Sequence, residues 1–126
     1  MTFIRQWLLD FLEKRPELRE FPMIEYGERG QTDLAYSVGM LMFDVLHRTL
    51  GREAFDRVIG GFYARYADSG ASTDDFARFA SEASGRDLTP LFDDWMYTTR
   101  WYDRMKAGET TEDVAAGYRA AMARGR

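Results

Sequence analysis

The chain has 126 residues, with 17 Lys and Arg against 21 Asp and Glu, one histidine and no cysteine. This length fits one domain of ordinary size, which buries a core without disulfides. The lack of cysteine excludes a disulfide framework and thiolate zinc sites, and one histidine excludes a two-histidine metal site within the chain. A net charge of -4 gives no general attraction to nucleic acid or anionic membrane.

The sequence also bears on where the protein works. No apolar run approaches the roughly 20 residues that a membrane-spanning helix needs. The opening segment MTFIRQWLLDFLEKR lacks the cationic start and small-residue cleavage site of a signal peptide. We therefore expect no membrane partner, no nucleic-acid partner and a cytoplasmic location.

Apolar residues at helical spacing predict the first helix. Thr2 suits its N-cap, and Pro16 ends it, because a proline disfavours the helical region for the preceding residue. Residues 15–31 contain two prolines and two glycines and predict a long loop with a short turn at Pro16–Arg19. The apolar face of the helix consists of Phe3, Ile4, Trp7, Leu8, Phe11 and Leu12.

The second helix is predicted to begin near residues 31–33 and to end at Leu50, with Gly51 directly after it. Gly39 lies inside the helix, although a glycine there costs about 1 kcal/mol relative to alanine. Such a glycine indicates close packing or a nearby ligand. The predicted buried set is Leu34, Val38, Leu41, Met42, Val45 and Leu46. A third helix is predicted over about residues 52–67.

Capping residues mark the remaining helices. Ser72 or Thr73 begins a fourth helix, and Gly85 ends it. A fifth helix begins at Asp87 or Thr89 and buries Leu91, Phe92, Trp95 and Met96.

Residues 100–108 are predicted to be a polar joint in which Trp101, Tyr102 and Met105 still pack. Thr110 or Thr111 then begins a last helix. Since no alternating strand pattern occurs, the predicted class is all-α. We expect a single domain over 1–126, built as a compact bundle of about six short helices with orthogonal packing.

Isolated polar residues offer no strong site. His47 lies near the polar side of the second helix and is expected to face solvent, where a cation also suits the helix C-terminus. Asp93 and Asp94 are adjacent on a helix and do not face each other. We interpret them as a solvated face rather than a catalytic pair.

A series of short motifs runs through the middle of the chain. Tyr36 and Gly39 open the second helix, and they are followed in order by Leu50-Gly51, Phe55, Thr73–Phe76, Ser84–Leu88 and Trp95–Tyr97. In this order and spacing, residues 33–97 resemble the helical part of the catalytic domain of the aminopeptidase N-like zinc metallopeptidases. That part lies downstream of the family's zinc motif. Residues 98–126 are then a C-terminal extension.

The resemblance implies peptide hydrolysis and a carried-over site. In the family, the tyrosine of this motif donates a hydrogen bond to the oxyanion of the tetrahedral intermediate, and Tyr36 matches it. Gly39, one turn later, would let a ligand approach, which makes it a substrate-binding position. Val38 stands where many members have a basic residue. Tyr26, in the EYGERG stretch, is a weaker alternative to Tyr36.

The family binds zinc through a His-Glu-x-x-His helix and a distant glutamate, and this chain contains no such motif. We therefore expect no metal ligand and no cofactor in this chain, although the full-length family carries zinc. On this hypothesis the chain is a fragment or truncated form. It lines the peptide cleft, is inactive alone, and has a peptide substrate or the missing zinc-bearing lobe as its partner.

The alternative hypothesis is a free-standing helical module for peptide binding, protein binding or dimerisation. The fragment hypothesis carries a structural expectation, because a face that packs on a missing lobe is left uncovered. Large exposed apolar patches usually mark interaction sites. We expect such a patch or a homo-oligomer interface, unless the last helix covers it, at Phe3, Trp7, Phe11, Met40 and Phe43.

Overall fold

The computed structural model describes residues 2–124. The helices are α1 (Thr2–Lys14), α2 (Thr32–Leu50), α3 (Arg52–Tyr66), α4 (Thr73–Ser84), α5 (Thr89–Phe92), α6 (Arg100–Lys106) and α7 (Thr111–Arg124). A π-helical turn, Asp93–Tyr97, continues α5. The described residues contain no strand, so the all-α prediction is confirmed, and the seven helices are close to the six expected.

Glycines end α2 and α4, and capping residues begin α4 and α7, where the sequence predicts them. Helix α5 instead begins after Leu88 and has no side-chain cap, so the prediction of Asp87 or Thr89 as its cap is wrong. Gly51 and Gly85 follow α2 and α4 with φ of 85° and 68°, a region that side chains disfavour and glycine adopts freely. At the start of α4, Asp75 N donates to Ser72 Oγ over 3.1 Å, and Ser72 N donates to Asp75 Oδ2 over 3.0 Å. Thr110 and Asp113 repeat this reciprocal pair before α7.

Helix α2 lies at the centre of the bundle and packs against α1, α3 and α7. Its predicted buried set is confirmed, because Leu34, Val38, Leu41, Met42, Val45 and Leu46 are all buried. The four apolar residues predicted for the fifth helix are buried as well, in α5 and the π-helical turn. The helical apolar period therefore determines which faces form the core.

Two connecting segments differ from the predictions. Residues 100–108 are not a polar joint, because Arg100–Lys106 form α6 with Trp101, Tyr102 and Met105 all buried. Burying these three side chains at helical spacing stabilises the helix. In the predicted loop over 15–31, the 3-10 helix Pro16–Glu20 lies at the predicted turn, and a second one, Met23–Glu25, was not predicted.

The Arg5 side chain links α1 to the end of α6 and to the turn that follows it. The Arg5 guanidinium of α1 donates from Nη2 to the Met105 carbonyl over 2.7 Å and from Nε to the Glu109 carbonyl over 3.2 Å. These carbonyls lie at the end of α6 and in the turn before α7. The Met105 carbonyl also accepts from Gly108 N over 3.1 Å, so Arg5 adds a second donor to it and holds α1 against this turn.

Candidate functional site

Tyr36 lies in the second turn of α2, and its side chain is 71% exposed. The hydroxyls of Tyr97 and Tyr118 donate to Asp74 and Asp94. The Tyr36 hydroxyl, in contrast, has no hydrogen-bond partner within residues 2–124. It is therefore available as a donor to a group outside the described chain.

Gly39 follows one turn later on the same helix. A Cβ atom placed on Gly39 would have no neighbouring atom within 4 Å, and its backbone has the ordinary helical conformation. Neither packing within the described residues nor backbone geometry therefore requires a glycine here. The missing side chain leaves a notch in the surface of α2.

Tyr36, Gly39, Met40 and Phe43 form one stripe, which we call the α2 seam, with Gly39 half-buried and the other three exposed. Spacings of three and four residues place them on one face of the helix. Met40 is 45% exposed and Phe43 39% exposed. None of the four residues is charged, so the seam is an uncharged and largely apolar surface.

The C-terminal end of the α2 seam is held by aromatic contacts. The Phe43 ring meets the Phe76 ring of α4 edge-on at 5.6 Å between centroids. One turn later, His47 meets Phe55 of α3 edge-on at 5.0 Å. Such pairs contribute about 0.5–1.5 kcal/mol beyond the area they bury. The C-terminal end of the α2 seam therefore packs against aromatic rings of α3 and α4.

Helix α1 adds further exposed apolar residues. Phe3 and Trp7 are exposed, and Trp7 stacks on the half-buried Phe11 with ring centroids 5.2 Å apart. Four of the five residues expected to line an uncovered patch are thus exposed, and α7 does not cover them. The opposite side of α1 is buried through Leu8 and Leu12.

The other candidate residues are not grouped for chemistry. His47 is exposed, as predicted. Within residues 2–124, no three His, Cys, Asp or Glu side chains are grouped so that they could hold a metal ion. Tyr26 is buried, and burial raises the pKa of its phenol to about 12. Its position in the core makes Tyr26 a poor alternative to Tyr36.

The interpretation of Asp94 as part of a solvated face is wrong. Its carboxylate is only 15% exposed and accepts hydrogen bonds from Arg100 Nε over 2.7 Å and from the Tyr118 hydroxyl over 2.6 Å. Arg104 Nη1 approaches over 3.4 Å. We call these four residues the Asp94 cluster. They join the π-helical turn, α6 and α7.

The charges and hydrogen bonds of the Asp94 cluster hold the π-helical turn, α6 and α7 together. Burial, the hydrogen bond to Asp94 and the Asp94 charge raise the pKa of the Tyr118 phenol above its usual range. The hydrogen bond and charge of Asp94 also raise the pKa of Arg100. At neutral pH the Tyr118 phenol and the Arg100 guanidinium therefore keep their protons.

No family model matches the chain, and neither the curated proteins nor the solved structures contain one significantly similar to it. The family resemblance thus rests on the motifs themselves. Within residues 2–124, no helix combines the length and apolarity needed to cross a membrane.

Proposed function

We propose that the chain is the helical part of the catalytic domain of a zinc aminopeptidase-like metallopeptidase. On this proposal it lines the peptide cleft with the α2 seam, and Tyr36 stabilises the oxyanion. One observation carries the proposal. The two residues singled out by the motif resemblance, Tyr36 and Gly39, lie at the N-terminal end of the α2 seam, whose three side chains are all exposed.

The geometry of Tyr36 suits an oxyanion donor. When water attacks a peptide carbonyl, negative charge develops on the carbonyl oxygen, and a hydroxyl already aimed at that position lowers the barrier. Such a hydroxyl must not be occupied by another acceptor. The Tyr36 hydroxyl has none within residues 2–124, and α2 provides a rigid base for its ring.

The rest of the α2 seam suits a surface that another lobe or a substrate covers. Met40 and Phe43 leave apolar area in water, which is unfavourable by about 25 cal/mol per Å². The notch at Gly39 permits a close approach that a larger side chain would block. Phe3 and Trp7 extend the apolar surface on α1.

The proposal divides the catalytic work between two parts of a larger protein. It assigns zinc binding and the activation of water to another lobe, which would carry the His-Glu-x-x-His helix. This chain contributes the hydroxyl and one wall of the cleft. We also propose a cytoplasmic location, since a chain without cysteine has no need of an oxidising compartment.

The test begins with the coding sequence upstream of Met1. We expect an in-frame His-Glu-x-x-His motif there. In the longer protein, Tyr36→Phe should lower kcat for aminoacyl amides about 10²–10³-fold, the loss typical of an oxyanion donor, with zinc content unchanged. Tyr63→Phe is the matched control, because Tyr63 of α3 is also exposed.

Two results would refute the proposal. One is an upstream sequence without the motif, and the other is a Tyr36→Phe enzyme as active as Tyr63→Phe. The alternative of a free-standing binding or dimerisation module would gain support if the reading frame started at Met1 and the purified chain dimerised through the α2 seam.

The purified chain on its own gives a second test. One histidine and no cysteine do not provide the ligands of a catalytic zinc, and carboxylates alone bind zinc weakly. We expect no amide hydrolysis and no stoichiometric zinc by metal analysis. One tightly held zinc per chain would contradict the assignment of zinc binding to another lobe.

A further inference from the structure

A separate cavity of about 320 Å³ lies between the α4–α5 connection and the last turns of α7. Its volume is within the range of small-molecule sites, roughly 300–1,000 Å³. Leu88 and Leu91 are fully buried and form its floor. Pro90 and Met122 add apolar walls, and Arg86 and Asp87 supply the charges. The cavity thus combines an apolar interior with charged groups at one end.

Arg86 is half-buried and has unused hydrogen-bonding capacity. Its guanidinium donates once, from Nη1 to the Thr49 carbonyl, over a long 3.4 Å. Within residues 2–124 no carboxylate lies at ion-pair distance from Arg86, whereas Arg48 and Arg100 both have such partners. A guanidinium presents its remaining N–H groups in a fork that matches a carboxylate.

The other polar groups at the cavity already have structural roles. Asp87 Oδ1 accepts from Thr89 N over 3.0 Å. Hydrogen bonds from the Thr89 side chain and backbone hold the pKa of the Asp87 carboxyl below its usual range. Asp87 is exposed, so water also solvates its charge. The Tyr118 hydroxyl donates to Asp94, so Tyr118 contributes its ring to the cavity wall. Arg86 is therefore the group with capacity left for a ligand.

We propose that this cavity binds an apolar group that ends in a carboxylate. The carboxylate would pair with Arg86, and the apolar part would cover Leu88, Leu91 and Met122. Two sources share this chemistry, a free fatty acid and the C-terminal residue of a peptide. The proposal does not depend on the proposed function, because the cavity shares no residue with the α2 seam.

Two matched probe pairs test the charge requirement and separate the sources. Octanoate is compared with 1-octanol, and N-acetyl-leucine with N-acetyl-leucinamide, by titration of ¹⁵N-labelled protein in NMR. Each carboxylate should bind at least about tenfold more tightly than its neutral partner, as expected for one charge-assisted pair. The shifts should be confined to residues 85–91 and 118–122. Stronger binding of octanoate favours the fatty acid, and stronger binding of N-acetyl-leucine favours the peptide.

Variants of the two charged residues should have opposite effects. Arg86→Gln should weaken octanoate binding about tenfold, and Arg86→Lys, which keeps the charge, should restore part of the loss. Asp87→Asn should tighten binding a few-fold, because it removes a repelling charge while an asparagine oxygen can still accept the hydrogen bond from Thr89 N. Exposed Arg57 of α3 provides the control, Arg57→Gln, which should bind as the wild type does.

Several results would overturn the proposal. They are equal binding of octanoate and 1-octanol, tighter binding of octylammonium, or shifts spread beyond the cavity. Because Arg86 also contacts Thr49, thermal unfolding by circular dichroism must show that Arg86→Gln is folded. If it is not, Asp87→Asn decides, since unchanged or weaker octanoate binding by that variant refutes the role of the cavity charges.

Discussion

The Asp94 cluster and the α2 seam use their side chains in opposite ways. In the cluster, a carboxylate that is mostly buried receives hydrogen bonds from Arg100 and Tyr118, with Arg104 close by. In the seam, a tyrosine hydroxyl lacks a partner within residues 2–124, and apolar side chains remain in water. One region is complete within the described chain, and the other is not.

This difference indicates which region serves stability and which serves interaction. A satisfied polar cluster fixes three elements relative to one another, and breaking it leaves buried groups without partners. An uncovered apolar seam adds little to stability but presents area to another surface. Substitutions should therefore separate the two regions, with large losses of stability in the cluster and small ones in the seam.

The largest effect is expected in the Asp94 cluster. Asp94→Ala should lower the free energy of unfolding by about 2–3 kcal/mol, because it leaves the buried Tyr118 hydroxyl without its acceptor and removes the ion pairs with Arg100 and Arg104. Arg104 keeps its ion pair with Glu109. Asp93→Ala, one residue away, should change it by less than about 0.5 kcal/mol. Urea unfolding followed by circular dichroism measures both. Equal losses would mean that the cluster has no special role.

An intermediate effect is expected in alkali from Tyr26, in the segment that joins α1 to α2. Burial raises its folded-state pKa from 10.0 to about 12. The free energy of unfolding is therefore unaffected by the ionisation of Tyr26 below pH 10 and falls as the pH rises toward 12, because the unfolded chain loses the phenol proton first. Tyr26→Phe should match the wild type at pH 7 and exceed its stability by about 1 kcal/mol at pH 11.

Urea unfolding at both pH values provides the comparison for Tyr26. Tyr36→Phe is the control from the α2 seam, because it removes the same hydroxyl from an exposed tyrosine. If Tyr26→Phe and Tyr36→Phe differed from the wild type by the same amount at pH 11, burial of Tyr26 would not be the source of the alkaline loss of stability.

The smallest effect on stability is expected in the α2 seam. Met40→Glu should change the free energy of unfolding by less than about 0.5 kcal/mol, because the side chain is already in water and glutamate suits a helix. It should reduce the binding of an apolar fluorescent dye more than Tyr63→Glu does, since Met40 lies among other apolar residues. A loss of more than about 2 kcal/mol would show that Met40 belongs to the core.

The helical core was predictable because its signals are local. The apolar period identified the buried face of α2, and Ser72, Gly51 and Gly85 marked helix ends from their own chemistry. Tyr36 could be singled out for the same reason, since the motif lies within one turn of one helix. Its proposed role, in contrast, depends on a partner surface that the described chain does not contain.

The Asp94 cluster escaped prediction because its partners are distant in sequence. Arg100 and Arg104 become neighbours of Asp94 only once α6 is helical, and Tyr118 arrives from α7. Predicting residues 100–108 as a joint removed that possibility. The cavity at Arg86 was missed for a similar reason, since its walls come from α5 and α7, and no local pattern reports an absent ion-pair partner.

The hydrogen bonds of Arg5 have a consequence for synthesis on the ribosome. They link residue 5 to residues 105 and 109, separations of 100 and 104 positions. At elongation rates of about 5–20 residues per second, α1 exists for roughly 5–20 s before its acceptors have been made. During that interval α1 can pack against α2, which is complete at Leu50, but not against α6. The final position of α1 is therefore fixed only late in translation.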